Sequence, residues 1–171
     1  TNSLGGDTSA AAALAVDPPV IVVPLRVATL AGKAGTNAGG ADGAGGAARF
    51  TFPQALALDG AGNLYVVDSM ANRIRKTTAA GVVSTVAGTG SSGSADGPAT
   101  AAQFNMPGGI AVDSVGVVYV ADSANCTIRK ITPAGVVTTL AGQAGQRGFA
   151  NGTGGAARFS APVSMVLDPT G

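Results

Sequence analysis

The chain has 171 residues, with ten Lys and Arg against nine acids, and only 11% of its residues are charged. Three Lys, seven Arg, two Tyr and no Trp, spread through a near-neutral chain, give neither the basic footprint nor the stacking aromatics that nucleic acid needs, nor a polybasic tract for a membrane surface. Nothing is long and apolar enough to span a bilayer, all nine acids are Asp, and with no His and no Glu the usual general bases and many metal ligands are missing.

Residues 1–24 read as a low-complexity linker. Thr1 to Ala15 is small and Ala-rich, and Pro18, Pro19 and Pro24 interrupt the Val/Ile run that follows. Proline cannot donate to a ladder, so this run is at best an irregular edge strand. No leader is visible, and the chain starts at Thr1, which fits removal of one.

From Leu25 the folded part, 25–171, begins with a strand expected at 25–31. A Gly-rich connection carrying Asp42 and Phe50 leads to four short runs rich in β-branched residues, at 55–59, 64–68, 73–77 and 82–87. Asp59-Gly60-Ala61-Gly62 and Ala79-Ala80-Gly81 supply turn chemistry between them. A second connection contains Asp96-Gly97-Pro98 followed by Ala99 to Phe104, which predicts a short helix capped by Asp96, with Phe104 as a plug. Four more runs follow at 109–113, 117–122, 127–132 and 136–141, then a third connection with Asn151 and Phe159, and a last strand at 163–168.

The two sets of runs are copies. Asp42 and Asp96, Phe50 and Phe104, Tyr65 and Tyr119, and Asp68 and Asp122 each stand 54 positions apart, and Asn151 and Phe159 continue the series. Strand-rich units recurring at about this period build propeller blades. The expected fold is therefore all-β: a β-propeller of four-stranded antiparallel blades. Two blades are complete, at 55–88 and 109–142, and the strands at 25–31 and 163–168 belong to incomplete ones. A ring needs roughly four to eight blades, so the expectation is a partial propeller, completed by more chain or by association. The first two strands of each unit are apolar on both faces, as in strands covered on both sides. The third alternates charged and apolar residues, which places Arg73, Arg75, Arg129 and Lys130 on a solvated outer face, available as surface contacts.

The candidate chemistry is sparse. Asp68 and Asp122 end equivalent strands, so they read as turn devices or partners for a nearby Arg such as Arg73. Asp42-Gly43 and Asp96-Gly97 offer one carboxylate per loop, too few oxygens for calcium. The Gly-rich stretches lack a phosphate-cradle pattern. Cys126 has no second Cys for an internal disulfide and no His to activate it, so it reads as a small, semi-buried residue. No catalytic residue, cofactor or metal site is assigned.

The runs Phe50…Pro53…Leu58-Asp59, Gly62-Asn63-Leu64-Tyr65-Val66-Val67-Asp68-Ser69 and Asn72-Arg73-Ile74-Arg75-Lys76 match a second copy at Phe104…Gly109 to Asp113, Tyr119 to Ser123 and Asn125 to Ile131. This pattern resembles the NHL repeat, and the long Ala/Gly-rich connections resemble its subset in large bacterial envelope or secreted proteins. The sequence departs from the pattern at Met70-Ala71, at Cys126-Thr127 and in lacking the His of the name. The resemblance implies a secreted or envelope location and a non-enzymatic recognition or scaffold module, with a protein or glycan ligand on the propeller loops. Self-association through exposed blade faces is also expected. The alternative is part of a lactonase- or lyase-like propeller enzyme. Those related enzymes use metal centres containing Glu or His, so their catalytic residues would have to lie in further blades.

Overall fold

The computed structural model describes residues 27–35 and 39–168. The linker expected at 1–24 and the first two residues of the strand expected at 25–31 lie outside them.

Ten strands form two matching sheets. They are β1 (Gly43–Ala44), β2 (Pro53–Leu58), β3 (Leu64–Asp68), β4 (Arg73–Thr77), β5 (Val82–Ala87), β6 (Gly97–Pro98), β7 (Gly109–Val112), β8 (Val118–Asp122), β9 (Thr127–Ile131) and β10 (Val136–Gly142). The sheet orders are β1-β5-β4-β3-β2 and β6-β10-β9-β8-β7. Every pairing between these strands is antiparallel, and the register repeats: Tyr65 faces Lys76 as Tyr119 faces Lys130. Asp59 and Asp113 close the first hairpin of each sheet. Each carboxylate accepts the N–H groups two and four residues on, at 3.0 and 2.9 Å for Asp59 and 3.0 and 2.8 Å for Asp113.

The blades are four-stranded meanders with a fifth, two-residue strand added at the outer edge. Gly43 and Ala44 pair with Val83 and Val82, and Gly97 and Pro98 pair with Val137 and Val136. In each case the connection that precedes a blade returns to cover that blade's last strand, so the edge is not left as a row of unpaired backbone groups. This corrects the helix expected after Asp96. Gly97 and Pro98 are taken by the ladder, and residues 99–101 make only a turn, with Ala101 and Ala102 N–H groups donating to Pro98 O.

The core lies between the sheets. Tyr65, Val67, Ile74 and Ala87 of the first sheet pack against Ile110, Val118, Val120, Ile131 and Val137 of the second, with Phe104 in the same cluster. The equivalents of Ile110 and Val112 in the first sheet are Leu56 and Leu58. They stand 63% and 60% exposed, whereas Ile110 is 6% exposed. The difference is one of neighbours: the second sheet has the first beside it, and no blade among the described residues covers the corresponding face of the first.

The flanking strands require correction. Residues 27–31 and 163–168 carry no ladder. Even so, Val163 and Ser164 cross directly over Gly108 and Gly109, where a Cβ would meet their backbone. Glycine there permits this close approach.

Candidate functional site

Arg75 and Arg129 are the largest fully buried side chains, each 0% exposed, which corrects their reading as surface contacts. The alternation in the third strand puts Ile74 toward the neighbouring sheet and Arg75 toward the incoming connection, and both directions are covered. Arg129 Nη1 donates to Asp122 Oδ2 at 2.9 Å and to Gln103 O at 2.9 Å; Nη2 donates to Asp96 Oδ1 at 2.7 Å and to Ala95 O at 3.0 Å. The guanidinium lies 5.2 Å from the Phe104 ring centroid. Arg75 repeats this with Asp68 at 3.3 Å, Arg49 O at 3.0 Å, Asp42 at 2.7 Å, Ala41 O at 2.8 Å and the Phe50 ring at 5.2 Å.

The carboxylates are equally engaged. Asp68 Oδ1 accepts the N–H groups of Thr51 and Phe52 at 2.8 and 2.9 Å. Asp122 accepts Asn105 N–H at 2.8 Å and the Asn125 amide at 2.8 Å. Asp42 and Asp96 each accept the backbone N–H and hydroxyl of a fourth-strand threonine, Thr85 and Thr139. Burial opposes ionisation of Asp42, but the Thr85 N–H and the Arg75 guanidinium outweigh it and lower its pKa. At Asp122 burial wins over the Asn105 N–H, Asn125 and Arg129, and the pKa is raised.

The arrangement is a latch that ties each connection to its own blade through one buried bidentate cation. The partner of Asp68 is thus Arg75 rather than Arg73. Phe104 is fully buried between Gly88 of the first sheet and Arg129 of the second, Phe50 is half-buried beside Gly32, and Phe159 lies against Gly142. Asn151 is exposed. Tyr65 is buried under Lys76, and the Tyr119 hydroxyl reaches Asp113 at 3.4 Å. Arg73 and Lys130 are partly exposed.

One end of the blades gathers the turns at residues 69–72 and 123–126 with the connections 88–108 and 143–162. Among the described residues, the non-glycine residues with positive φ all lie here: Asn72, Met106, Cys126 and Ala161 at 51°, 47°, 58° and 53°. They are two pairs of repeat equivalents, so the strain belongs to how every blade turns. Two grooves open at this end. One, of about 440 Å³, is lined by Gly40, Asp42, Arg73, Thr85, Thr89 and Thr100 among others; the second, of about 280 Å³, lies by Ser69, Met106, Ser123 and Ala161. Part of their lining differs between the copies, with Arg73 against Thr127, Thr89 against Gln143 and Met106 against Ala161, whereas Asp42, Thr85, Gly88 and Ser69 recur as Asp96, Thr139, Gly142 and Ser123. Among the described residues no three Asp or Cys side chains come together to hold a metal, and no helix is long and apolar enough to cross a membrane.

Repeated four-stranded meanders stacked face to face, each latched to its incoming connection, are blades of a β-propeller. The family comparison agrees: residues 90–154 match the Teneurin NHL domain model. The NHL repeat-containing protein 2 of Gallus gallus is 37% identical over 119 residues, covering 68% of this chain and 16% of that protein. A Bacteroides thetaiotaomicron protein of unknown function superposes with a TM-score of 0.57 at 29% identity, over 60% of this chain and 26% of the other. An auxiliary nutrient binding protein from the same organism superposes with a TM-score of 0.54 at 25% identity, over 63% of this chain and 30% of the other. The chain belongs to the NHL-repeat β-propellers, and it spans less than a third of the length of each of these relatives.

Proposed function

We propose that this segment is a non-enzymatic recognition module of a secreted or envelope protein, binding a glycan or protein at the end where its connections gather. One observation carries the reading. The latch residues coincide in the two copies, while Arg73, Thr89 and Met106, which line the grooves at this end, face different residues at their equivalent positions. Divergence on a repeated scaffold is how such folds acquire a site, since the rigid strands hold loops that are free to vary. The similarity to a solved auxiliary nutrient binding protein supports a ligand-binding role. The latch cations and carboxylates are consumed by one another and by backbone groups, which leaves them no free chemistry for catalysis. The exposed Leu56 and Leu58 face is read as a surface through which copies of the chain associate.

The test presents the labelled chain to arrays of oligosaccharides and peptides. Saturable binding that is lost in Met106→Asp and retained in Ala80→Asp, at the opposite end, supports the reading. Binding equally affected by both substitutions, or absent from both arrays, rejects it.

A further inference from the structure

Arg73 is a cation that the latches do not use. It opens β4 two residues before Arg75, and its repeat equivalent is Thr127, so blade construction does not require an arginine there. The structure holds the Arg73 side chain by backbone alone: Nη1 donates to Gly40 O at 3.0 Å and Nη2 to Thr89 O at 3.2 Å. Among the described residues no carboxylate lies within ion-pairing distance of it. Its Nε is shielded from solvent without a partner, and Gly90 packs so close that a Cβ would sit 3.0 Å from Nη2 and 3.2 Å from Nε. Two carbonyls and a glycine thus fix the plane of a guanidinium whose charge is balanced by none of them.

The guanidinium lines the larger groove, of about 440 Å³, together with Thr89 and Thr100. The Thr89 hydroxyl Oγ1 accepts the Ser91 N–H at 3.2 Å, which leaves the hydroxyl proton available to a ligand. Asp42 also lines this groove, but its oxygens are taken by Arg75 and Thr85. A pre-positioned guanidinium with unused N–H groups beside free hydroxyl donors is suited to a planar, singly charged oxyanion. Asp42, half-exposed in the same groove, repels a dianion about twice as strongly as a monoanion.

We propose that this groove is a binding subsite for a carboxylate-bearing ligand, with Arg73 as its anchor and the Thr89 and Thr100 hydroxyls as secondary donors. The proposal rests on reading this end as a binding surface and adds the charge of what it takes.

The decisive variant is Arg73→Thr, because the second blade already folds with threonine at that position. The probe is sodium D-glucuronate, with D-glucose as the uncharged control, titrated at constant ionic strength into the ¹⁵N-labelled chain. The expected result is a saturable shift of the Arg73 Nε–H signal and of the Thr89 and Thr100 amides with glucuronate and none with glucose. Arg73→Thr should weaken glucuronate binding by at least about tenfold, the loss of one charged hydrogen bond. Equal shifts with both sugars, no saturable shift with either, or equal glucuronate affinity in the two proteins overturns the proposal. An array ligand that binds wild type and Arg73→Thr equally overturns it too, while leaving the recognition reading standing.

Discussion

Arg129 Nη1 and Asp122 Oδ2 stand 2.9 Å apart with neither side chain exposed to solvent. A pair so placed is weak evidence of net stabilisation, because removing both charges from water costs about what their attraction returns. Breaking it is another matter. Asp122→Ala leaves a buried guanidinium facing Asp96 alone and should cost about 3–5 kcal/mol. Replacing both partners, with Asp122→Leu and Arg129→Met, should cost less than the single change. Urea unfolding of the two variants checks this, and a double variant less stable than Asp122→Ala would contradict it.

Gly88, just after β5, and Gly142, the last residue of β10, hold equivalent positions with φ of 104° and 86°. A Cβ at Gly88 would collide with Asn72 O and press on the Phe104 ring at 3.3 Å; one at Gly142 would meet Cys126 O at 2.5 Å and the Phe159 ring at 3.1 Å. Gly88→Ala should therefore lose about 1–3 kcal/mol through strain at a conformation that L residues avoid. Gly60→Ala, in open space at an ordinary φ, is the control and should be near neutral in the same unfolding assay.

Acid should weaken the latch at the first blade. The folded-state pKa of Asp42 lies below the ordinary value for an Asp, since the Thr85 and Arg75 contacts outweigh burial. A carboxyl lowered on folding contributes stability that is present above the unfolded pKa and lost as pH falls through the folded one. Asp122, raised by burial, works in the opposite direction. Asp42→Asn should flatten the decline of melting temperature below about pH 4, the range in which an ordinary Asp titrates. An unchanged acid slope would show that Asp42 carries none of it.

The open face of the first blade should associate. Leu56 and Leu58 are exposed where Ile110 and Val112 of the second blade bury against a neighbour. Leu56→Lys with Leu58→Lys should lower the average mass of the chain in light scattering while its β-sheet circular dichroism is retained. A wild-type chain that is already monomeric at the same concentrations would contradict the association.

The strands of both blades were legible because β-branched runs, Asp-Gly turns and the 54-residue repeat agree with one another. The latch was not, although its signal was present. Arg73-Ile74-Arg75-Lys76 has the alternation of a half-exposed strand, and period alone does not say that a second layer covers the charged side. The clue lay elsewhere in the chain: Asp42, Asp68 and Arg75 recur together as Asp96, Asp122 and Arg129. The helix after Asp96 was expected for a related reason. Asp-Gly-Pro is good capping chemistry, but the carboxylate is claimed by Arg129 and Thr139 and the next two residues by β10.

The central claim is that recognition takes place at the end where the connections gather. Hydrogen–deuterium exchange on the chain, with and without the tightest-binding array ligand, tests it most directly. The account predicts slowed exchange in residues 69–73, 88–108 and 123–127, and no change in the turns at 59–63, 78–81, 113–117 and 132–135. Protection confined to those opposite turns would contradict it.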